Sequence, residues 1–333
     1  MLKVLRKRIQ RLLNGSYPLS FIVYKCFLHG NIVSNRFPIG IYNLLSNEKG
    51  VLGDAEEIHI DTYDGLGQAT HPSIVRFKNL YYLACTPFPY GNDYYENPCI
   101  YKGINGVQFK QMPELCPIVL PRSHDRLVYL SDPFLYVDKE KLHLLYRECR
   151  YIDKNKYKAI IYEMTSRDGT TWSKPVKVFT SAQGAMCPCV IYQEENLFLY
   201  CVVFENEETS LVRAKMEKRM EFNRVLVRNN PDNMMLWHFD FFTGNEGKRF
   251  GLFTYSTDHY GSDSRLYLAS QEDDMSWLVH NEIVIDSNAV TKMYKSCVLE
   301  LENGTRNLYV SLKRKDRKWK IYVVKDFNYT YYL

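Results

Sequence analysis

Five short stretches decide how this chain folds: THPSIVRF (residues 70–77), SDPFLYV (131–137), MCPCVIY (186–192), WHFDFF (237–242) and YKSCVLE (294–300). Each opens on a polar or ionisable residue, three times followed by proline, and runs on into apolar residues. The marker residues are His71, Asp132, Cys187, His238 and Lys295, spaced 61, 55, 51 and 57 residues apart. A fixed period of this size is the mark of a repeat architecture and has to be settled before any fold is named. A second apolar segment follows each start: LYYLACTPF, KLHLLYREC, NLFLYCVVF, RFGLFTYST and RNLYVSLK. A third follows in turn: PCIYKG, KAIIYEMT, SLVRAKM, SRLYLAS and WKIYVVK. The links between them are short and rich in Gly, Asn, Asp and Lys, as hairpin turns are.

Past the third segment comes a corner. It reads Asn105-Gly106 with Phe109, Asp168-Gly169 with Trp172, and Asp273-Asp274 with Trp277. The Asn or Asp lies 34, 36 and 35 residues beyond the start of its repeat. The third repeat keeps an echo in Glu221-Phe222, and the fifth ends before a comparable corner. Four antiparallel strands of about six residues with their turns need roughly 50 residues, which is one propeller blade. The expectation is an all-β, five-bladed β-propeller over residues 51–333, preceded by a short helical or irregular extension over residues 1–50. A pair of β-sandwiches would not hold one phase through the chain. The last repeat ends after three strands, so Glu57–Thr62, which alternates correctly, is expected to complete the fifth blade.

Composition agrees. The 333 residues are 46% hydrophobic and 24% charged, with 27 Tyr and 17 Phe, and this aromatic content favours strands over helical bundles. No apolar run approaches the ~20 residues of a membrane span. The net charge of +5 is contained in MLKVLRKRIQRLL at residues 1–13, so the remainder is near neutral and gives no nucleic-acid platform. Those thirteen residues place Leu2, Leu5, Ile9, Leu12 and Leu13 at helical spacing with basic residues between. That is the pattern of a basic amphipathic helix able to lie on an anionic membrane or to dock on a partner. The nine cysteines are odd in number and scattered through apolar stretches, which reads as free thiols, not a disulfide framework. With no export signal, a cytoplasmic location is expected, at most peripheral to the inner membrane face, and the sequons at Asn14, Asn303 and Asn328 are chance. No cofactor is expected, and the oligomeric state is open.

In a propeller the innermost strands line one axial channel. His71, Asp132, Cys187, His238 with Asp240, and Lys295 are therefore expected to converge, and buried ionisable groups are kept where they act. Glu96, in Tyr95-Glu96-Asn97-Pro98, and Arg147, in LLYRECR, are added from neighbouring segments. Glu96 could instead cap its own turn, and Arg147 could form a salt bridge with Glu148 or Asp132. Trp237 and Tyr294 could stack on a sugar ring or simply pack between blades.

At these residues the chain resembles the five-bladed propeller glycosidases of glycoside hydrolase family 43 and its relatives, over about residues 55–333. The pieces that carry it are Thr70-His71-Pro72, Tyr95-Glu96-Asn97-Pro98, Tyr146-Arg147, Trp237-His238-x-Asp240 and Tyr294-Lys295-Ser296. Ser166-Arg-Asp168-Gly169-Thr-Thr-Trp172 is similar to a sialidase Asp-box, one residue short, and reads as structural. The resemblance implies a carbohydrate substrate and a catalytic trio opening blades one to three. Asp132 matches the middle carboxylate, but His71 stands where the family has its base, and Met186-Cys187-Pro188 stands where it has its acid. The family's mechanism therefore does not carry over. Catalysis would fall to Asp132, Asp240, Glu96, His71 and His238, with Arg147 and Lys295 fixing an anionic group and Trp237 and Tyr294 lining the site. Two other readings stay open: a catalytically inactive glycan-binding propeller serving polysaccharide assembly, and a divalent-metal site on His71, His238, Asp132 and Asp240.

Overall fold

The computed structural model describes residues 55–111, 128–151, 157–181, 184–205, 208–258, 261, 263–285 and 290–333. The extension over residues 1–50, with its amphipathic segment, lies outside the described residues.

The described residues open with β1 (Ala55–Glu57) and then lay down one four-stranded antiparallel sheet after another. Blade one is β2 (Ala69–Phe77), β3 (Leu80–Pro87), β4 (Cys99–Gly103) and β5 (Phe109–Gln111). Blade two is β6 (Val128–Asp138), β7 (Lys141–Tyr151), β8 (Tyr157–Ser166) and β9 (Val176–Ser181). Blade three is β10 (Ala185–Gln193), β11 (Asn196–Glu205), β12 (Glu208–Lys215) and the two-residue β13 (Asn223–Arg224). The next strand, β14 (Leu226–Arg228), adds in parallel to the edge of blade four. That blade is β15 (Met235–Thr243), β16 (Arg249–Ser256), β17 (Arg265–Asp273) and β18 (Ser276–Ile283). Blade five is β19 (Val290–Glu300), β20 (Arg306–Arg314) and β21 (Trp319–Val324), completed by β1. The five-bladed propeller expected from the repeat is the fold observed.

Closure differs in detail from the expectation. The ladder with β21 runs from Ala55↔Val324 to Glu57↔Tyr322, and one further bond joins Ile58 N to Ile321 O. Closure thus begins two residues before Glu57 and ends soon after it. Ile58 and Ile60 keep the alternation, but they are spent on the core between blades five and one.

The core lies between blades. One cluster joins blades one and two, another joins five and one, another joins four and five, and the largest spans two to four. The corners hold these joints. Asp168 Oδ1 accepts from the amides of Thr170 and Thr171, both at 2.7 Å, and Asn105 Oδ1 does the same for Val107 and Gln108. Gly169, at φ 75°, lies against the Tyr82 ring of blade one, where a Cβ would collide. The Gly106 carbonyl accepts a 2.7 Å bond from Tyr309 of blade five, and Asp274 of blade four accepts from Gln193 of blade three. Each of these three corners docks on the preceding blade, which is the structural role the Asp-box likeness implied.

Hydrogen bonds also stitch the inner strands around the ring. Leu135 N donates to Ser73 Oγ, Cys187 N to Asp132 Oδ2, Phe239 N to Cys187 Sγ, Thr254 Oγ1 to Tyr294 O, and His71 N to Ser311 Oγ. All five joints are crossed. The seven described cysteines are buried free thiols. No helix among the described residues is long and apolar enough to cross a membrane.

Candidate active site

Each marker residue sits at a break in the ladder of its inner strand. The register slips between Thr70 and Ser73, Ser131 and Phe134, Met186 and Cys189, Leu236 and His238, and Met293 and Ser296. At the first three bulges, His71, Asp132 and Cys187 have φ of 57°, 51° and 53°. A left-handed residue with a side chain is strained by about 1–3 kcal/mol, and a following proline disfavours it further. Proline itself costs the ladder no donor there, because the bulge has already broken it. Glycine would relieve the strain, so a side chain is being kept at each position against a backbone cost.

The residues it turns inward meet on one carboxylate. Asp132 Oδ1 lies 3.2 Å from His71 Nε2 and 3.4 Å from His238 Nε2. Its Oδ2 lies 3.2 Å from Arg147 Nε and accepts the Cys187 amide at 3.0 Å. His71 Nδ1 is 2.8 Å from Thr86 Oγ1, and Glu96 Oε2 stands 4.0 Å from that same nitrogen. The imidazole rings of His71 and His238 are 5.3 Å apart, and Tyr294 packs against both at 5.4 and 4.4 Å. Asp132 is fully buried, and His71, His238, Glu96 and Asp240 are each at most 4% exposed.

Burial sets the protonation states, with one exception. It pushes both imidazoles below their ordinary range, His71 far below, against the pull of Asp132, so they are neutral. It pushes Glu96 well up and Asp240 up to about 7. Asp132 is the exception. Burial opposes its charge, but Arg147, His71 and His238 together hold it well below the usual carboxylate range. The hub therefore carries one fixed anion, two neutral imidazoles and two carboxyls that keep a proton near neutral pH.

Every residue singled out in the sequence is found around this hub or against it; of the two cations expected to fix an anion, Arg147 takes the salt bridge that was its alternative reading and Lys295 is engaged otherwise than expected. Arg147 is taken up by the Asp132 salt bridge, while Glu148 pairs with Arg150. Lys295, 1% exposed, reaches across the ring to donate to Pro133 O at 2.9 Å. Burial acts to depress its ammonium, but Cys187, Asp240 and Asp132 around it outweigh burial and hold it above its ordinary value. Trp237 packs in the blade core against Phe204 and donates to Tyr294 Oη at 2.7 Å. Asp240 shares the inward face of β15 with His238, and its Oδ2 has no hydrogen-bond partner. The sequence reading missed Thr86 and Ser131, whose hydroxyls touch His71; their only signal is adjacency to the marker strands.

One ring nitrogen each of His71 and His238 and an oxygen of Asp132 lie within 4.8 Å of one another, an arrangement that could hold a metal ion.

No family model matches the sequence, and no curated protein does. Solved structures share the fold. An N-acetylgalactosamine deacetylase from F. plautii, solved with blood group B trisaccharide, is 14% identical with a TM-score of 0.65, over 84% of this chain and 93% of that one. A thermostable family-43 glycoside hydrolase is 12% identical with a TM-score of 0.62, over 78% and 89%. The α-L-arabinanase of Cellvibrio cellulosa, complexed with arabinohexaose, is 11% identical with a TM-score of 0.58, over 78% and 91%. At these identities the likeness is one of fold.

Proposed function

We propose that this protein is a carbohydrate-active enzyme that performs acid/base hydrolysis or transfer of a sugar at the propeller hub. The observation that carries the reading is the convergence of His71, Asp132 and His238, from three blades, on a single buried carboxylate. Asp132 fixes the two imidazoles, much as the buried aspartate of a hydrolase triad orients its histidine. A neutral imidazole so held can take a proton from water or from an acceptor hydroxyl. Asp240, poised at about 7, carries the proton that a leaving oxygen needs, with Glu96 as a second protonated carboxyl on the His71 side. The test is incubation of the full chain with a panel of oligosaccharides, beside Asp240→Asn and His238→Gln. Product formed by the parent and lost in both variants is the expected result. Glycan binding without product in long incubations would replace the enzyme by a binding propeller.

A second reading is favoured by one observation. The 3.2 and 3.4 Å separations among the trio match the edge of about 3.3 Å between ligands of a tetrahedral metal bound at roughly 2.0–2.1 Å. The neutral imidazoles and the ionised carboxylate are the forms that a divalent ion requires. Such an ion, held by His71, His238 and Oδ1 of Asp132, would supply Lewis-acid activation of a water. Elemental analysis of protein purified without chelator separates the readings: stoichiometric metal, absent from His238→Gln, favours the second.

A further inference from the structure

Two lysines of blade five face each other across the ladder: Lys292 on β19 pairs with Lys313 on β20, and Lys313 pairs in turn with Trp319 on β21. Directly opposed like charges destabilise a sheet. Lys292 is partly compensated, donating to Gly261 O at 2.8 Å with Asp258 and Asp263 nearby. Lys313 is not. Among the described residues it makes no ion pair, and its ammonium lies 5.7 Å from the centre of the Trp319 ring. Burial, then Lys292 and Arg317, press its pKa down to about 8. A half-buried cation without a counter-ion, facing a second lysine, is an arrangement that an anion completes.

The position ties this feature to the hub. The Trp319 ring is 5.3 Å from that of Tyr294, which packs at 4.4 Å on His238. Lys313 thus stands two aromatic rings out from His238, which in turn meets Asp132. The cations expected to take an anion, Arg147 and Lys295, are occupied inside the protein.

We propose that Lys313, with Lys292, forms an anion subsite that takes the acidic group of a charged sugar while the neighbouring unit occupies the hub. The shared chemistry is an oxyanion on a sugar ring, a uronate carboxylate or a phosphate ester. The inference rests on the carbohydrate reading above and makes the substrate acidic.

The test compares binding, by calorimetry at low salt, of a glucuronate-containing oligosaccharide, a sugar phosphate and a neutral oligosaccharide of equal length. Charge-assisted contacts of this kind are expected to favour an acidic ligand by about tenfold. Lys313→Gln should abolish that preference and leave neutral binding unchanged, while Lys313→Arg retains most of it. The two acidic arms report which oxyanion the site takes. Equal binding of acidic and neutral ligands, or an acidic preference that survives in Lys313→Gln, overturns the subsite. Failure of the enzyme reading looks different: the Lys313-dependent preference stands, but no ligand is turned over. Conversely, turnover of the acidic sugar at an undiminished rate in Lys313→Gln leaves the hub intact and removes the subsite.

Discussion

The backbone amide of Cys187, in blade three, donates at 3.0 Å to Oδ2 of Asp132, in blade two. One carboxylate thus closes a joint of the ring with one oxygen and gathers two imidazoles with the other. The roles separate on substitution. Asp132→Asn keeps an acceptor for the amide and should fold while losing activity. Asp132→Ala removes both the acceptor of the Cys187 amide and the buried carboxylate of the ion pair, and should cost about 3–5 kcal/mol. Urea denaturation of both, beside turnover, checks this; equal stability of the two variants would show that the joint does not depend on that acceptor.

Asp240 predicts a pH dependence of stability. Its folded-state pKa of about 7 lies above the ~3.9 of an unfolded aspartate, so the native state binds this proton more tightly. The contribution is present below about pH 4 and is lost as pH rises towards 7, leaving a cost of roughly 4 kcal/mol once the group is ionised. Asp240→Asn removes that cost. It should be more stable than the parent at pH 8, and the gap should close near pH 4. Melting curves across that range that stay parallel would show that Asp240 is an ordinary carboxylate.

Gly169 holds a left-handed φ against the Tyr82 ring. Gly169→Ala adds a methyl where there is no room and strains the backbone, for about 2–4 kcal/mol together. The loss should appear as a fall in thermal midpoint, with the affinity of the surviving folded fraction for sugar unchanged. A neutral result would mean that the corner is not clamped to blade one.

The His71–Asp132–His238 trio predicts a response to divalent ions. If it binds metal, zinc or manganese should raise the thermal midpoint of the parent and leave that of His238→Gln unmoved. A shift of equal size in both would place the ion elsewhere.

The repeat was legible because three kinds of signal kept one phase: the marker before proline, the strand lengths and the corner. Strand bounds follow the apolar runs closely, as in Asn196–Glu205 and Trp319–Val324. The markers were expected at strand starts and instead lie in or beside bulges within the strands; the left-handed backbone of His71, Asp132 and Cys187 is not marked by their residue types. Arg147 and Lys295 were seen as cations of the hub, and the salt bridge to Asp132, in the same blade, was one of the readings open for Arg147; that the Pro133 carbonyl takes up Lys295 was not legible, since that partner comes from another blade. Lys313 and Trp319 carried no signal: one is next to last in β20 and the other begins β21, and only the register brings them together.

Because β1 supplies the outer edge of a sheet whose other strands follow about two hundred and fifty residues later, Ala55–Glu57 has no partner strand until Trp319–Val324 has been made. Tyr294 and Lys295 belong to that same late sheet, so a nascent chain stalled before it has four blades and an unfinished hub. Such long-range pairing slows folding. Activity is therefore expected only once blade five is complete, and truncation before Trp319 should abolish it.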